Sequence, residues 1–144
     1  MSGLISNYKI LVKQNLLIES HRGKVDFDSY LNFKKRESKD VLYNPTLNHL
    51  LDFKDAIFTT SSQDVSKYAD FLKNTPPFIG KRKIAVLTKT PNQVVPSVLL
   101  KMNLKNSLLS VEIFTTCQNA LEWLNIPNVT FEEVKIILAK LKET

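Results

Sequence analysis

Two histidines and one cysteine are the obvious candidates for chemistry in this chain. Cys117 is expected at the first position of a helix, where the helix dipole acidifies a thiol. Paired with His49 or His21 it would be a nucleophile with its base. The chain order brings neither histidine beside it, so the residue pattern predicts a small apolar side chain in the core. Glu19 and His21 share one parity of a strand, an acid–base spacing that the pattern assigns to a surface arrangement. His49 opens an apolar strand and is expected to be a hydrogen-bonded structural residue. Trp123, on a short amphipathic helix, is expected in the core or at a rim. The sequence has no Gly-rich phosphate loop, no His-Glu-x-x-His and no paired cysteine. It therefore predicts no metal, no cofactor and no catalysis, and a thiol enzyme on Cys117 stays only as an alternative.

Hydroxyls and cations form the second set. Thr59-Thr60-Ser61-Ser62, Thr88-Lys89-Thr90 with Asn92, and Thr115-Thr116-Cys117 each lie between a predicted strand and a predicted helix. Such residues cap helices, and the N–H groups they leave free attract anions such as phosphate or carboxylate. Residues 1–72 carry ten basic and nine acidic side chains, whereas residues 73–144 carry ten and five. No acidic residue falls between Asp70 and Glu112. Lys73, Lys81, Arg82, Lys83, Lys101 and Lys105 are expected at the opposite strand ends, where six cations would form a basic patch for an anionic surface. Lys89 belongs to the hydroxyl edge. Nucleic acid is not the expected partner, because no aromatic side chains interleave with these cations as a stacking platform requires.

The elements that must position these residues follow from periodicity. Tyr8–Lys13 and Leu16–His21 predict a hairpin across Gln14-Asn15. Asp26 caps a helix over 26–38, with Lys34-Lys35-Arg36 complementing its C-terminal dipole. Residues 47–58 are extended, with a bend or break at Asp55, and a helix spans 62–74. Lys83–Thr88 is a buried strand. A helix over 92–105 follows, with Asn92 as its cap and Val94, Val95, Val98, Leu99 and Met102 facing inward. Val111–Thr115 is a strand and Cys117–Asn125 a helix. Thr130 and Glu133 form a capping box for a last helix over 130–142. The order β-β-α-β-α-β-α-β-α, with an added C-terminal helix, predicts an α/β fold with a mixed, mostly parallel sheet of five strands and right-handed crossovers. Residues 1–127 form the α/β domain, and 128–144 an amphipathic helix packed on it.

At 144 residues and 43% hydrophobic side chains, the chain is one domain with enough apolar surface to fold without a metal or disulfide. Three glycines exclude a collagen-like repeat, and a single cysteine excludes a disulfide scaffold. No stretch is long and apolar enough to span a bilayer, and no signal sequence is visible. With one unpaired thiol, a cytoplasmic setting is the expectation.

The chain resembles the STAS-domain family, which includes the bacterial anti-sigma-factor antagonists. More narrowly it resembles small stand-alone STAS/Sec14-like bacterial proteins. The likeness covers about residues 5–126. It is carried by the opening strand pair ending in Gly23, Leu50-Leu51-Asp52-Phe53 leading to Ala56-Ile57-Phe58-Thr59-Thr60-Ser61-Ser62, Lys83–Leu87, and Val111-Glu112-Ile113-Phe114-Thr115-Thr116 before Ala120-Leu121-Glu122-Trp123-Leu124. Phosphorylatable members start the second helix with Asp-Ser-Ser-Gly, and the second Ser accepts phosphate. Thr60-Ser61-Ser62-Gln63 stands here, so Ser62 matches the acceptor and Ser61 its neighbour, while Thr60 and Gln63 depart from the pattern. The resemblance implies a regulatory module that contacts a protein partner at the helix N-terminal edge. The alternative is a carrier or sensor of a small anionic or lipid-like ligand in an apolar pocket, with helix 92–105 as a lid. Monomer, homodimer and peripheral membrane contact are all open at this stage.

Overall fold

Asn15 adopts a left-handed φ of 53°, which closes the turn between two antiparallel strands, β1 (Ile5–Leu11) and β2 (Leu16–Val25). The computed structural model describes residues 3–144. After β2 come α1 (Phe27–Glu37), β3 (Asn48–Phe58), α2 (Ser62–Asn74), a short 3-10 turn at Pro76–Phe78 and β4 (Arg82–Leu87). The chain ends with α3 (Pro91–Asn103), β5 (Leu109–Phe114), α4 (Cys117–Leu124) and α5 (Phe131–Leu141). The sheet order is β1-β2-β3-β4-β5, with β1 antiparallel and the other neighbours parallel. This is the mixed α/β sheet that the element order predicts.

Parallel neighbours joined by right-handed crossovers place their helices on one face. Accordingly α1, α2 and α3 cover the face that carries Leu51, Phe53, Ile84, Val86 and Val111. The opposite face carries Leu16, Ile18, Leu50, Ala85 and Leu87, and is closed by Cys117, Ala120 and Leu124 of α4 with Val134 and Leu138 of α5.

Three local features differ from the sequence expectation. The strand holding Asp55 does not break: Ser20 pairs with Asp52 but Arg22 with Asp55, so β3 absorbs one extra residue as a bulge. The N-cap of α3 is Thr90, not Asn92. The third difference concerns which side of α3 faces in. Val95, Val98 and Met102 are exposed, whereas Gln93 and Ser97 are buried. The cause lies in β3, whose pairing with β4 stops at Asp52–Leu87. Beyond that point its backbone groups need other partners. Gln93 Nε2 donates to the Lys54 and Ala56 carbonyls at 3.0 and 2.8 Å. Asn92 accepts from the Phe58 N–H at 2.7 Å and donates to the Phe58 carbonyl at 2.9 Å. Backbone satisfaction thus outranks the apolar periodicity and turns the valines outward.

Candidate functional site

The stripe of α1 that faces the sheet is Tyr30, Phe33, Lys34 and Glu37, an i, i+3, i+4, i+7 spacing that places two charged residues on a core face. Lys34 is not a solvated, dipole-complementing cation. Its Nζ donates to Glu19 Oε2 at 2.5 Å and to Glu37 Oε1 at 2.7 Å, all three side chains being buried. Glu19 Oε1 also lies 2.7 Å from His21 Nε2, and the Tyr30 hydroxyl donates to it at 3.3 Å. The Glu19–His21 pair is therefore real but internal, not at the surface. His21 stacks on Phe53 with ring centroids 4.5 Å apart.

One cation serves two carboxylates, and burial penalises every uncompensated charge. Burial alone would raise Glu19, but Lys34 and the hydrogen bond from His21 hold its carboxyl well below the usual range. Burial and the nearby Glu19 charge push Glu37 well above it. Burial would depress Lys34, yet the two glutamates raise it and keep it charged.

Beside this network lies a cavity of about 70 Å³ between the sheet and α1–α3. Leu51, Phe53, Val86, Val65 and Leu100 give it apolar walls, and Lys34, His49, Arg82, Tyr30 and Tyr68 give it a polar inner end. Its half-exposed lining residues are Asp26, Phe27, Phe58, Thr60 and Asp64, with Tyr68, Pro96 and Leu100, so the mouth lies at the N-termini of α1 and α2 and extends between α2 and α3. Pro96, Ser97 and Leu100 of α3 form one side.

The inner end holds two buried polar groups that the fold does not satisfy. Arg82 is 4% exposed and His49 1%. Arg82 Nη1 donates to the Pro45 and Phe78 carbonyls at 2.9 and 2.8 Å, but its Nε has no partner. These contacts pin the loop at Gly80, where a Cβ would lie 2.4 Å from the Pro45 oxygen. His49 Nε2 has no partner either, which corrects the expectation of a hydrogen-bonded histidine. Burial, then the Lys34 and Arg82 charges, hold His49 well below the usual histidine range, so the ring is neutral.

The hydroxyl edge is divided among several tasks. Ser61 caps α2 in a reciprocal box with Asp64, and Ser62 is exposed in the first turn. Thr60 belongs to the cavity mouth. Thr90 and Thr116 cap α3 and α4, and Asn92 is spent on Phe58. Thr88, Lys89 and Thr115 do come together, lining a surface cleft with Lys54, Asp55 and Lys142. Cys117 lies under α4 on the opposite face from His21 and His49, and burial pushes its thiol up. The sheet separates nucleophile from base, so the structure does not support a thiol enzyme.

The expected six-cation patch does not assemble. Arg82 is interior. Lys83 Nζ donates to the Trp123 carbonyl at 2.9 Å and lies 5.2 Å from the centre of its ring. Lys101 pairs with Glu112 at 2.9 Å, and Lys73 approaches Asp70 at 3.6 Å. Lys81 and Lys105 remain exposed. Among the described residues no group of three His, Cys, Asp or Glu side chains is arranged to hold a metal ion. No helix among them is long and apolar enough to cross a membrane.

The polar members of the cavity are the residues that sequence reasoning missed. Their readable signal was Lys34 and Glu37 on the inward stripe of α1, at the same spacing as Tyr30.

No protein-family model matches this sequence, and neither does any curated protein. Among solved structures, the chain is similar to an uncharacterized protein of the DUF3478 family from Shewanella loihica PV-4, described as having a SpoIIAA-like fold. The match has a TM-score of 0.51 at 15% identity and covers 85% of this chain and 94% of that one. With its antiparallel strand, four-strand parallel run and flanking helices, the chain has a SpoIIAA-like, STAS-type fold.

Proposed function

We propose that this protein is a non-catalytic binding module that takes a small amphipathic ligand in the cavity beneath α1–α3. The observation that carries this reading is a cavity with apolar walls and a polar inner end, where Arg82 Nε and His49 Nε2 are left without partners. Apolar lining with a few convergent polar groups is the usual make-up of a small-molecule site. The cover is α3, whose apolar outer residues gain nothing from the packed state. Native mass spectrometry of protein purified gently from its own cells tests this. An added mass that disappears on denaturation is the expected result. A bare chain that also takes up no amphiphile when titrated would overturn it.

A second reading, contact with a partner protein at the helix N-terminal edge, is favoured by the exposure of Ser62 and by the cleft at Thr88, Lys89 and Thr115, lined by three lysines. This edge borders the cavity mouth through Thr60 and Asp64. Ser62 is its candidate phosphate acceptor and Ser61 the alternative. A phosphate-sized mass that survives denaturation would support it.

A further inference from the structure

We propose that the surface cleft at the C-terminal ends of β3, β4 and β5 binds a small phosphorylated polyol, with its phosphate on Lys54, Lys89 and Thr88 and its hydroxyls against Asp55. This site is separate from the cavity beneath α1–α3 and does not rest on it.

Strand register brings the lining together. Asp52 pairs with Leu87, and Leu87 with Phe114, so the three strand ends lie side by side at about 4.8 Å per strand. The Thr88 N–H continues this ladder, donating to the Phe114 carbonyl at 2.9 Å. Beyond the paired residues come Lys54 and Asp55 on β3, Thr88 and Lys89 after β4, and Thr115 after β5. Lys142, at the end of α5, reaches across to within 3.3 Å of Asp52 and 3.0 Å of Asp55. Ligands of open α/β sheets bind at this carboxyl edge.

Three features select the ligand. First, the cleft of about 410 Å³ is lined by Lys54, Asp55, Thr88, Lys89, Thr115 and Lys142, none of them apolar. Its occupant is therefore polar, and the volume is that of a small-molecule site rather than of a bare ion. Second, Thr88 is the innermost lining residue, 1% exposed, and its Oγ1 has no hydrogen-bond partner. A buried hydroxyl left unpaired is costly, and a phosphate oxygen at the base of the cleft would accept from it. Third, the charges are divided. Lys142 is shared between two carboxylates, whereas Lys54 and Lys89 make no ion pair among the described residues. Lysines hold phosphate as point charges. The N-terminus of α4 follows Thr115 at the same edge, with the positive end of its dipole. Asp55 repels a second phosphate but accepts hydrogen bonds from hydroxyls, so a phosphorylated polyol fits where a bis-phosphate does not.

The test is titration calorimetry of the full chain with glucose 6-phosphate, inorganic phosphate, glucose and a phosphoserine peptide, repeated on Lys89→Gln, Thr88→Val and Asp55→Asn. Glucose 6-phosphate is expected to bind about tenfold more tightly than phosphate, and glucose not at all. Lys89→Gln should weaken both phosphate ligands about tenfold. Thr88→Val keeps the side-chain shape and removes the unpaired hydroxyl. It should weaken both ligands while leaving the melting temperature unchanged or higher, which a merely structural hydroxyl would not do. Asp55→Asn should split the pair, tightening inorganic phosphate and erasing the preference for glucose 6-phosphate. Lys89 is exposed, so Lys89→Gln carries the test should Thr88→Val not fold. Equal affinity for phosphate and glucose 6-phosphate would overturn the polyol in favour of free phosphate. Tighter binding of the peptide would overturn it in favour of a phosphorylated partner. No binding of any phosphate, or binding that Lys89→Gln leaves unchanged, would overturn the site itself.

Discussion

On one face of the sheet, α4 and α5 close over Leu16, Ile18, Leu50, Ala85 and Leu87, all essentially inaccessible. The charged group nearest to that layer, Asp52, is met at the rim by Lys142 at 3.3 Å. On the other face, α1–α3 close over Glu19, His21, Lys34, Glu37, His49 and Arg82, and leave a cavity. The same strands supply both layers, since alternate residues of β3 point to opposite sides. The dry layer is what area burial alone would build. The charged layer pays desolvation for six polar side chains and still leaves a buried atom without a partner on three of them, Glu37 Oε2, His49 Nε2 and Arg82 Nε. Stability does not explain that arrangement, because a packed apolar replacement of a buried ion pair is often neutral or better. The binding cavity proposed above would account for it.

The largest expected effect tests the charged layer. Lys34→Met leaves Glu19 and Glu37 buried without their shared cation. Breaking a buried pair by removing one partner typically costs about 3–5 kcal/mol, read as a fall in the urea midpoint at unchanged slope. The matching cut in the dry layer is Leu50→Ala, for which a cost of about 2–5 kcal/mol is expected. If Lys34→Met is much the milder of the two, water reaches the charged layer through the cavity, and the contrast between the faces weakens.

A smaller effect should appear in the pH dependence. His49 is neutral in the fold, its pKa held by burial well below the ordinary histidine value of 6.5. As pH falls below that value the unfolded chain takes up a proton that the fold refuses. The stability is therefore present above pH 6.5 and lost on acidification. Glu37 works in the opposite direction. Its raised pKa gives stability that is present below the unfolded value of 4.5 and lost as pH rises. Glu19, held low, adds a loss only as pH drops below 4.5. His49→Gln should thus flatten the decline in melting temperature between pH 6.5 and about 5. An unchanged slope in that window would mean that His49 is hydrated or charged in the folded protein.

The fold was legible because its signals were redundant. Asp26, Ser61, Thr116 and Thr130 are each followed three residues on by the N–H they cap, and the buried Ile84-Ala85-Val86-Leu87 can only be a strand. The STAS resemblance named the fold on the same residues. The cavity was not legible for a physical reason: charge in sequence carries no label of inside or outside. Lys34 sits in a run with Lys35 and Arg36 and looks like a dipole-complementing end. Only the stripe spacing with Tyr30, Phe33 and Glu37 distinguishes it. Arg82, between Lys81 and Lys83, is hidden in the same way. The outward turn of α3 depended on where β3 and β4 stop pairing, a long-range fact that no local pattern contains.

The smallest expected effect belongs to Cys117, and it tests the dry face alone. The thiol is packed with Ala120 and Leu124 under α4, and burial pushes its pKa up. A thiol reagent attacks the thiolate, so labelling of the native protein near pH 7 should be much slower than labelling of the urea-unfolded chain. Its rate should follow opening of α4 rather than intrinsic reactivity. Cys117→Ala removes one small apolar group and should cost about 1 kcal/mol. Labelling as fast in the native as in the unfolded state would show that α4 opens freely. In that event the face under α4 and α5 would be a mobile one, and its apolar packing would not make it the more rigid of the two.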